Sequence, residues 1–236
     1  MSQNSELANI FKKLKIEVEP NLLKTALTHS SVTFENGDEQ NYERLEFLGD
    51  SVLKLGISDI LYKKFPDYEE GRMTKIRGFL VSDSELAKIG KTINLQDLII
   101  VGKNEKKDHG AEKESVIACS MEALMGAIYL SCGIEKAVSY IKYFYEKIIE
   151  KVDSNLEIYN AKAVLQEYTQ GLNKDLPQYR LVEEKGKAHN KTFYYEISYN
   201  NEVLSHGSGK TKKDAQQDAA KNACLKLGII KENNNG

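Results

Sequence analysis

The sequence is poor in cysteine: three residues, Cys119, Cys132 and Cys224, in 236. Their number is odd, and no CxxC pair or finger-like spacing occurs, which excludes a disulfide framework and a structural zinc site. A reducing compartment is expected. The first 20 residues carry polar groups where a signal peptide needs an unbroken apolar core, and no apolar run reaches the ~20 residues that span a bilayer. A cytoplasmic chain with no membrane association is therefore expected. The first 155 residues contain no repeat and no low-complexity tract, so one or two ordinary globular domains fit the length.

Excess charge is also scarce, with a net −2. Its distribution is uneven. Residues 1–159 hold 21 Lys+Arg against 26 Asp+Glu, whereas residues 160–236 hold 12 against 9. An acidic front and a basic back suit a metal-dependent unit joined to a nucleic-acid-binding unit, and equally suit chance surface variation.

What is present centres on residues 41–55, NYERLEFLGDSVLKL. Leu45, Leu48, Val52 and Leu55 recur at helical spacing as an apolar stripe, with Glu43, Glu46 and Asp50 beside it. Glu46 and Asp50 are four apart and repel on adjacent turns. Arg44, a neighbouring Lys or solvent can offset that repulsion, and so can a divalent cation held by oxygen ligands. Gly49, inside the helix, implies close approach of another backbone. Residues 116–130 form a second apolar run whose only charge is Glu122. A carboxylate in a buried helix needs a basic side chain or a metal, the latter shared with Glu46 and Asp50.

Elsewhere the first domain reads as all-helical. Leu7, Ile10, Phe11 and Leu14 make a short amphipathic helix, and Pro20 opens another. His29 reads as a structural hydrogen-bonding residue. The segment 34–40 holds an Asn-Gly turn, Ser82 with Glu85 matches a capping box, and residues 97–115 read as an exposed loop. Ile141, Phe144, Tyr145, Ile148 and Ile149 continue the helical pattern. Residues 153–159 are the expected linker between a domain over 1–152 and another over 160–229, with 230–236 a disordered tail. After the linker the period changes. A helix ending near Gly171 precedes three alternating segments, with Phe193, Tyr195, Ile197 and Tyr199 on one face and a turn at Asn200 and Asn201. An alanine-rich helix follows, with Ala215, Ala219, Ala223 and Leu227 as its stripe.

The string ERLEFLGDS at 43–51 resembles the signature of bacterial ribonuclease III, the double-stranded-RNA-specific endoribonuclease. ALTHSS at 26–31, FPDYEEGRMTKIRGFLVS at 65–82 and ESVIACSMEALMGAIYL at 114–130 support the likeness. The order α-β-β-β-α with GSGKTKK at 207–213 resembles a double-stranded-RNA-binding domain. The resemblance spans roughly residues 5–228.

That resemblance implies a metal-dependent homodimer that cuts ribosomal precursor stems and structured messengers, leaving 5′-phosphates and short 3′ overhangs, with no nucleotide cofactor. It implies Mg²⁺, with Mn²⁺ as a substitute, at Glu46, Asp50 and Glu122. Asp50 and Glu122 are the residues most needed for chemistry. Glu43 resembles a supporting position near the subunit interface, and Phe47 the residue that inserts into the partner. Gln166, Glu167 and His189 are implied to reach 2′-hydroxyls and base edges, and Lys210, Lys212 and Lys213 to reach phosphates. One position departs. Three residues before Glu122 the family usually has an aspartate ligand, and this chain has Cys119. A thiol is a poor magnesium ligand, so weakened cleavage with Mn²⁺ favoured is expected, unless Cys119 only packs in the core. The rival reading is a duplex-RNA-binding regulator that has lost its chemistry.

Overall fold

In a computed structural model, residues 6–37, 40–173, 175–186 and 191–231 are described. The chain divides into two compact units, Met1–Lys151 and Val152–Gly236. Helices that begin in the first are α1 (Glu6–Leu14), α2 (Pro20–Ala26), α3 (Ser30–Asn36), α4 (Glu43–Lys64), α5 (Glu70–Leu80), α6 (Asp83–Thr92), α7 (Lys103–Lys107), α8 (Glu114–Cys132) and α9 (Ile134–Ser154).

The amphipathic patterns produce these helices much as read. Pro20 sits in the first turn of α2, where its missing N–H costs nothing, and Glu19 accepts from the amides of Asn21 and Leu22 at 3.0 and 2.9 Å. His29 caps α3, its Nδ1 accepting from the Ser31 amide at 3.1 Å. Helix α8 is long and apolar enough to cross a membrane by length and composition alone, but most of it is buried inside the unit. That is the composition of a core helix.

Several expectations need correction. Leu55 is 59% exposed, because ten residues carry it roughly 80° around the helix from buried Leu45. The buried face of α4 instead follows Leu45, Gly49, Val52, Leu53, Gly56, Ile57, Ile60 and Leu61. Residues 97–115 are not one loop: they hold α7, a 3-10 turn at Gly110–Glu112 and the start of α8. Ile100 also pairs with Thr28 in a parallel bridge, the Ile100 amide donating to Leu27 and the His29 amide to Ile100 at 2.7 and 2.9 Å. The capping box does not form. Ser82 stands at the cap of α6, but its hydroxyl donates to the Phe79 carbonyl at 2.7 Å and Glu85 accepts from Lys88 at 3.1 Å.

The second unit has α10 (Leu156–Tyr159), α11 (Ala161–Asn173), β1 (Gln178–Lys185), β2 (Thr192–Tyr199), β3 (Glu202–Gly209) and α12 (Lys212–Lys226). The stretch read as a linker thus holds a short helix, and Gln217 of α12 donates to the carbonyls of Ile158 and Tyr159 at 3.2 and 2.7 Å. The strands form an antiparallel sheet in the order β1-β2-β3. Asn200 and Asn201 both have positive φ, 51° and 65°, as a two-residue hairpin turn requires. Tyr195, Ile197, Ala215, Ala219 and Ala223 share one core. Leu227 lies past the end of α12 and is 37% exposed, so it leaves the alanine stripe. Ile230, read as part of a disordered tail, is buried in that core at 3% exposure.

Candidate active site and nucleic-acid interface

The site begins with two glycines. A Cβ on Gly49 of α4 would overlap the Glu122 carbonyl of α8, and a Cβ on Gly126 would lie 2.5 Å from the Leu45 carbonyl. The helices therefore cross backbone to backbone. Only glycine allows this approach, and the crossing brings Glu122 within electrostatic reach of Glu46 and Asp50, which flank Gly49 on α4. Ser120, fully buried, fixes the rotation of α8 by donating to the Ala26 carbonyl at 2.9 Å.

Electrostatics follow from that geometry. Burial, then the charges of Asp50, Glu46 and Asp83, push the Glu122 carboxyl up to about 7, while Lys54 acts against the shift. Lys54 pairs with Asp50 at 2.7 Å, so the neighbouring-lysine alternative is realised at that residue. Among the described residues, no Lys, Arg or His side chain pairs with Glu46 or Glu122. Nor, among those residues, do three His, Cys, Asp or Glu side chains stand close enough to hold a metal ion as they are. The donor set nevertheless fits a hard cation: acidic oxygens, partly desolvated, with one lysine as counter-charge.

Cys119 is half-buried on the same side of α8. Its thiol is pushed up to about 12, by burial first and then by the Glu46 charge. Tyr42, buried just ahead of α4, stands in the same neighbourhood: burial, then the charges of Cys119, Glu46 and Glu43, raise its phenol. The ALTHSS segment holds Tyr42 in place. The Tyr42 amide donates to Thr28 at 2.9 Å, and the His29 ring meets the Tyr42 ring edge-on at 5.5 Å.

Glu43 is exposed in the first turn of α4, and Phe47 is 81% exposed. Phe47 is therefore not part of the intramolecular core. Tyr42, Lys54 and Asp83 are the neighbours that sequence reasoning missed. Lys54 had a signal, its i+4 spacing from Asp50; Asp83, in the first turn of α6, had none, because only the packing of α6 on α8 brings it near.

In the second unit, Gly207 and Gly209 of β3 press on α12, where added Cβ atoms would overlap the Ala219 amide and lie 2.5 Å from the Ala215 amide. Thr211 caps α12, its hydroxyl accepting from the Asp214 amide at 3.0 Å. Lys210, Lys212 and Lys213 cluster there, all exposed. Lys210 donates to Thr192 at 3.3 Å, and Lys212 lies 3.9 Å from Glu184. Gln166 and Glu167 are exposed on α11, while His189 lies outside the described residues. Lys162 of α11 is a further cation there: burial, then the charge of Lys213, lower its ammonium.

Residues 19–150 match the family described as Ribonuclease-III-like, and residues 161–227 match the Double-stranded RNA binding motif. Ribonuclease 3 of Natranaerobius thermophilus is 40% identical, the match covering 94% of this chain and 96% of that one. Ribonuclease 3 of Borreliella burgdorferi is 38% identical over 92% and 90%. The nuclease domain of ribonuclease III from Campylobacter jejuni, described with a flexible region involved in dimer formation, is 38% identical with a TM-score of 0.53, covering 61% of this chain and 96% of that domain.

Proposed function

The chain belongs to the ribonuclease III family, and we propose that Glu46, Asp50 and Glu122 carry its hydrolysis of double-stranded RNA. It is an endoribonuclease with a duplex-binding domain, and its family is metal-dependent. One observation supports the residue assignment most: the crossing at Gly49 and Gly126 brings Glu122 within electrostatic reach of two more carboxylates, with no basic partner among the described residues except the lysine at Asp50.

Our proposed ion is Mg²⁺, with Mn²⁺ as substitute, held by Glu46, Asp50 and Glu122. Such an ion supplies a nucleophilic water near neutral pH and neutralises charge on the attacking and leaving oxygens. Glu122 would help hold that ion and orient the attacking water. Asp50, paired with Lys54 in this structure, would be a ligand to that ion. Glu43 stays in support, close to where a second copy is expected.

A homodimer fits the surface of α4. Phe47 is exposed, and a cavity of about 360 Å³ lined by Leu55, Tyr62 and Met73 opens on the same unit. A second copy would cover both and set two acid clusters across one duplex, cutting each strand once. Products would carry 5′-phosphates and short 3′ overhangs. We assign Gln166, Glu167 and His189 to 2′-hydroxyls and base edges, and Lys210, Lys212 and Lys213 to phosphates, where the positive end of α12 adds attraction. Ribosomal precursor stems and structured messengers in the cytoplasm are the proposed substrates. The binding-only reading gains no support, since relatives matched over nearly their full length are ribonucleases.

Cleavage of a labelled long duplex by the natural chain and by Cys119→Asp tests the assignment. Metal-dependent cutting of duplex and not of single strands is expected, with Cys119→Asp faster in Mg²⁺. Equal Mg²⁺-dependent rates in the two proteins would defeat the idea that position 119 limits the reaction.

A further inference from the structure

The sheet of the second unit has β1 and β3 as its edges, and an edge strand offers unpaired N–H and C=O groups to any strand that comes near. Val182 and Val203, 50% and 46% exposed, add apolar side chains there. The β1 edge is interrupted by a bulge, since its register slips between Leu181 and Glu183. The β3 edge has a bulge too, with Leu204 the extra residue between Val203 and Ser205. It has a second protection. The Ser208 amide donates to the Asp218 carboxylate at 2.9 Å, the Asn222 side-chain amide donates to the His206 carbonyl at 2.8 Å, and the Lys226 ammonium donates to the Leu204 carbonyl at 3.0 Å.

Two periods match to make this possible. Alternate residues of an antiparallel edge strand turn their backbone groups outward, a step of about 6.8 Å, and residues four apart on a helix advance about 6 Å. Asp218, Asn222 and Lys226 are such a helical row, and they meet Ser208, His206 and Leu204 in reverse order. The alanine stripe beside the row lets α12 lie close to the sheet, and the Ser205 hydroxyl, donating to the Ala219 carbonyl at 2.7 Å, pins strand to helix.

We propose that Asp218, Asn222 and Lys226 form an edge guard that keeps β3 of one copy from pairing with β3 of another. Duplex RNA creates the need. A long duplex gathers several copies side by side, and linked neighbours meet at an effective concentration on the order of millimolar. Under that crowding an open edge would join the binding units into a ribbon and delay their release. With its outward groups already bonded to α12, β3 has none to offer, and each unit binds and leaves alone.

The test is gel-shift titration of the full-length chain in chelator, so that nothing is cut, on a duplex of about 16 base pairs, one binding footprint, and on one of about 100. The combined variant Asp218→Ala, Asn222→Ala and Lys226→Ala keeps a helix-favouring residue at each position. Its affinity for the short duplex should stay within about twofold of the natural chain's, while on the long duplex half-saturation should fall at least about fivefold and the isotherm steepen, as linked sites require. Hydrogen exchange of the RNA-free variant should show the Ser208 amide losing protection when dilute and regaining it when concentrated. Superimposable long-duplex isotherms would overturn the proposal, and so would protection at Ser208 that is never regained. Weaker binding to both duplexes at an unchanged unfolding temperature would make the row a brace for α12 and overturn it as well. If the combined variant has a lowered unfolding temperature, Asn222→Ala alone is read by the same measurements.

Discussion

Two glycine crossings, one in each unit, do opposite electrostatic work. At Gly49 and Gly126, α4 meets α8 and the crossing leaves carboxylates half-buried and short of counter-charge. At Gly207 and Gly209, β3 meets α12, and the crossing leaves lysines exposed at a helix start. The packing solution is shared: delete a side chain, bring main chains together, and let the neighbouring residues project. What differs is solvent. A desolvated acid is raised in proton affinity and draws a cation, whereas a solvated lysine stays charged and draws phosphate. On the proposed assignment, chemistry belongs to the concealed crossing and attraction to the open one.

The sharpest way to break the comparison is to add one methyl at each crossing. Gly49→Ala forces overlap with the Glu122 carbonyl, costing about 1–3 kcal/mol or more of overpacking, and displaces the acids. Cleavage is expected to fall at least about 100-fold, since a displacement near 1 Å has that effect on positioned groups. Duplex binding should survive. Gly207→Ala should do the reverse, abolishing binding while the unfolding of the first unit is unchanged. Identical damage from both, in gel-shift and cleavage assays run together, would dissolve the division of labour.

Next is Glu122→Gln. It should lower cleavage by roughly 10³-fold, the scale of losing a positioned group at the reacting centre, while duplex affinity is retained. It also isolates a pH effect. An acid raised from 4.5 to about 7 binds more protons folded than unfolded, so its contribution to stability is complete below 4.5 and lost as pH climbs through 7. In chelator, the natural chain should lose unfolding temperature between pH 5 and 8, and the glutamine variant should lose less. Parallel slopes in a thermal scan would mean that Glu122 does not sit among buried, like-charged neighbours.

Phe47→Ala asks whether the exposed ring on α4 is an anchor for a second copy. A buried aromatic anchor is commonly worth about 2 kcal/mol or more, so self-association should weaken by about 30-fold in sedimentation, with double-strand cuts giving way to single nicks. A natural chain that sediments as a monomer at micromolar concentration would require another account of paired cutting. The smallest effect is expected from Lys212→Ala with Lys213→Ala. Affinity for all duplexes should drop about tenfold, and the slope of log affinity against log salt should flatten by roughly two, one for each phosphate no longer neutralised. An unaltered slope would assign phosphate binding to other side chains.

Much of this arrangement was legible because it is written in short-range patterns. Gly49 inside an amphipathic helix announced a close backbone approach, and Glu122 in an otherwise apolar run announced a charge in need of company. The hairpin at Asn200 and Asn201 and the alanine stripe of α12 were likewise local. The misses share a cause. Leu55 and Leu227 look apolar at the right intervals, but the angular drift of a helix and the end of α12 carry them outward. Ser82 had a capping-box partner in sequence, yet its hydroxyl turns back to the Phe79 carbonyl. Ile100 was hidden in a charged stretch, and its bridge to Thr28 reaches far back along the chain. Above all, the approach of Cys119 on α8 to Tyr42 and Glu46 at the start of α4 brings two distant segments together, and no periodicity encodes such a meeting.

The meeting of Gly49 with α8 also orders events in time. During translation the signature helix emerges well before residues 122 and 126, so a growing chain carries two of its acids with nothing to close against. On the proposed assignment, cutting ability arrives late, after α8 has cleared the exit tunnel and docked. A ribosome making this nuclease, itself built of folded RNA, is spared a working blade at its own surface through the first half of each round of synthesis.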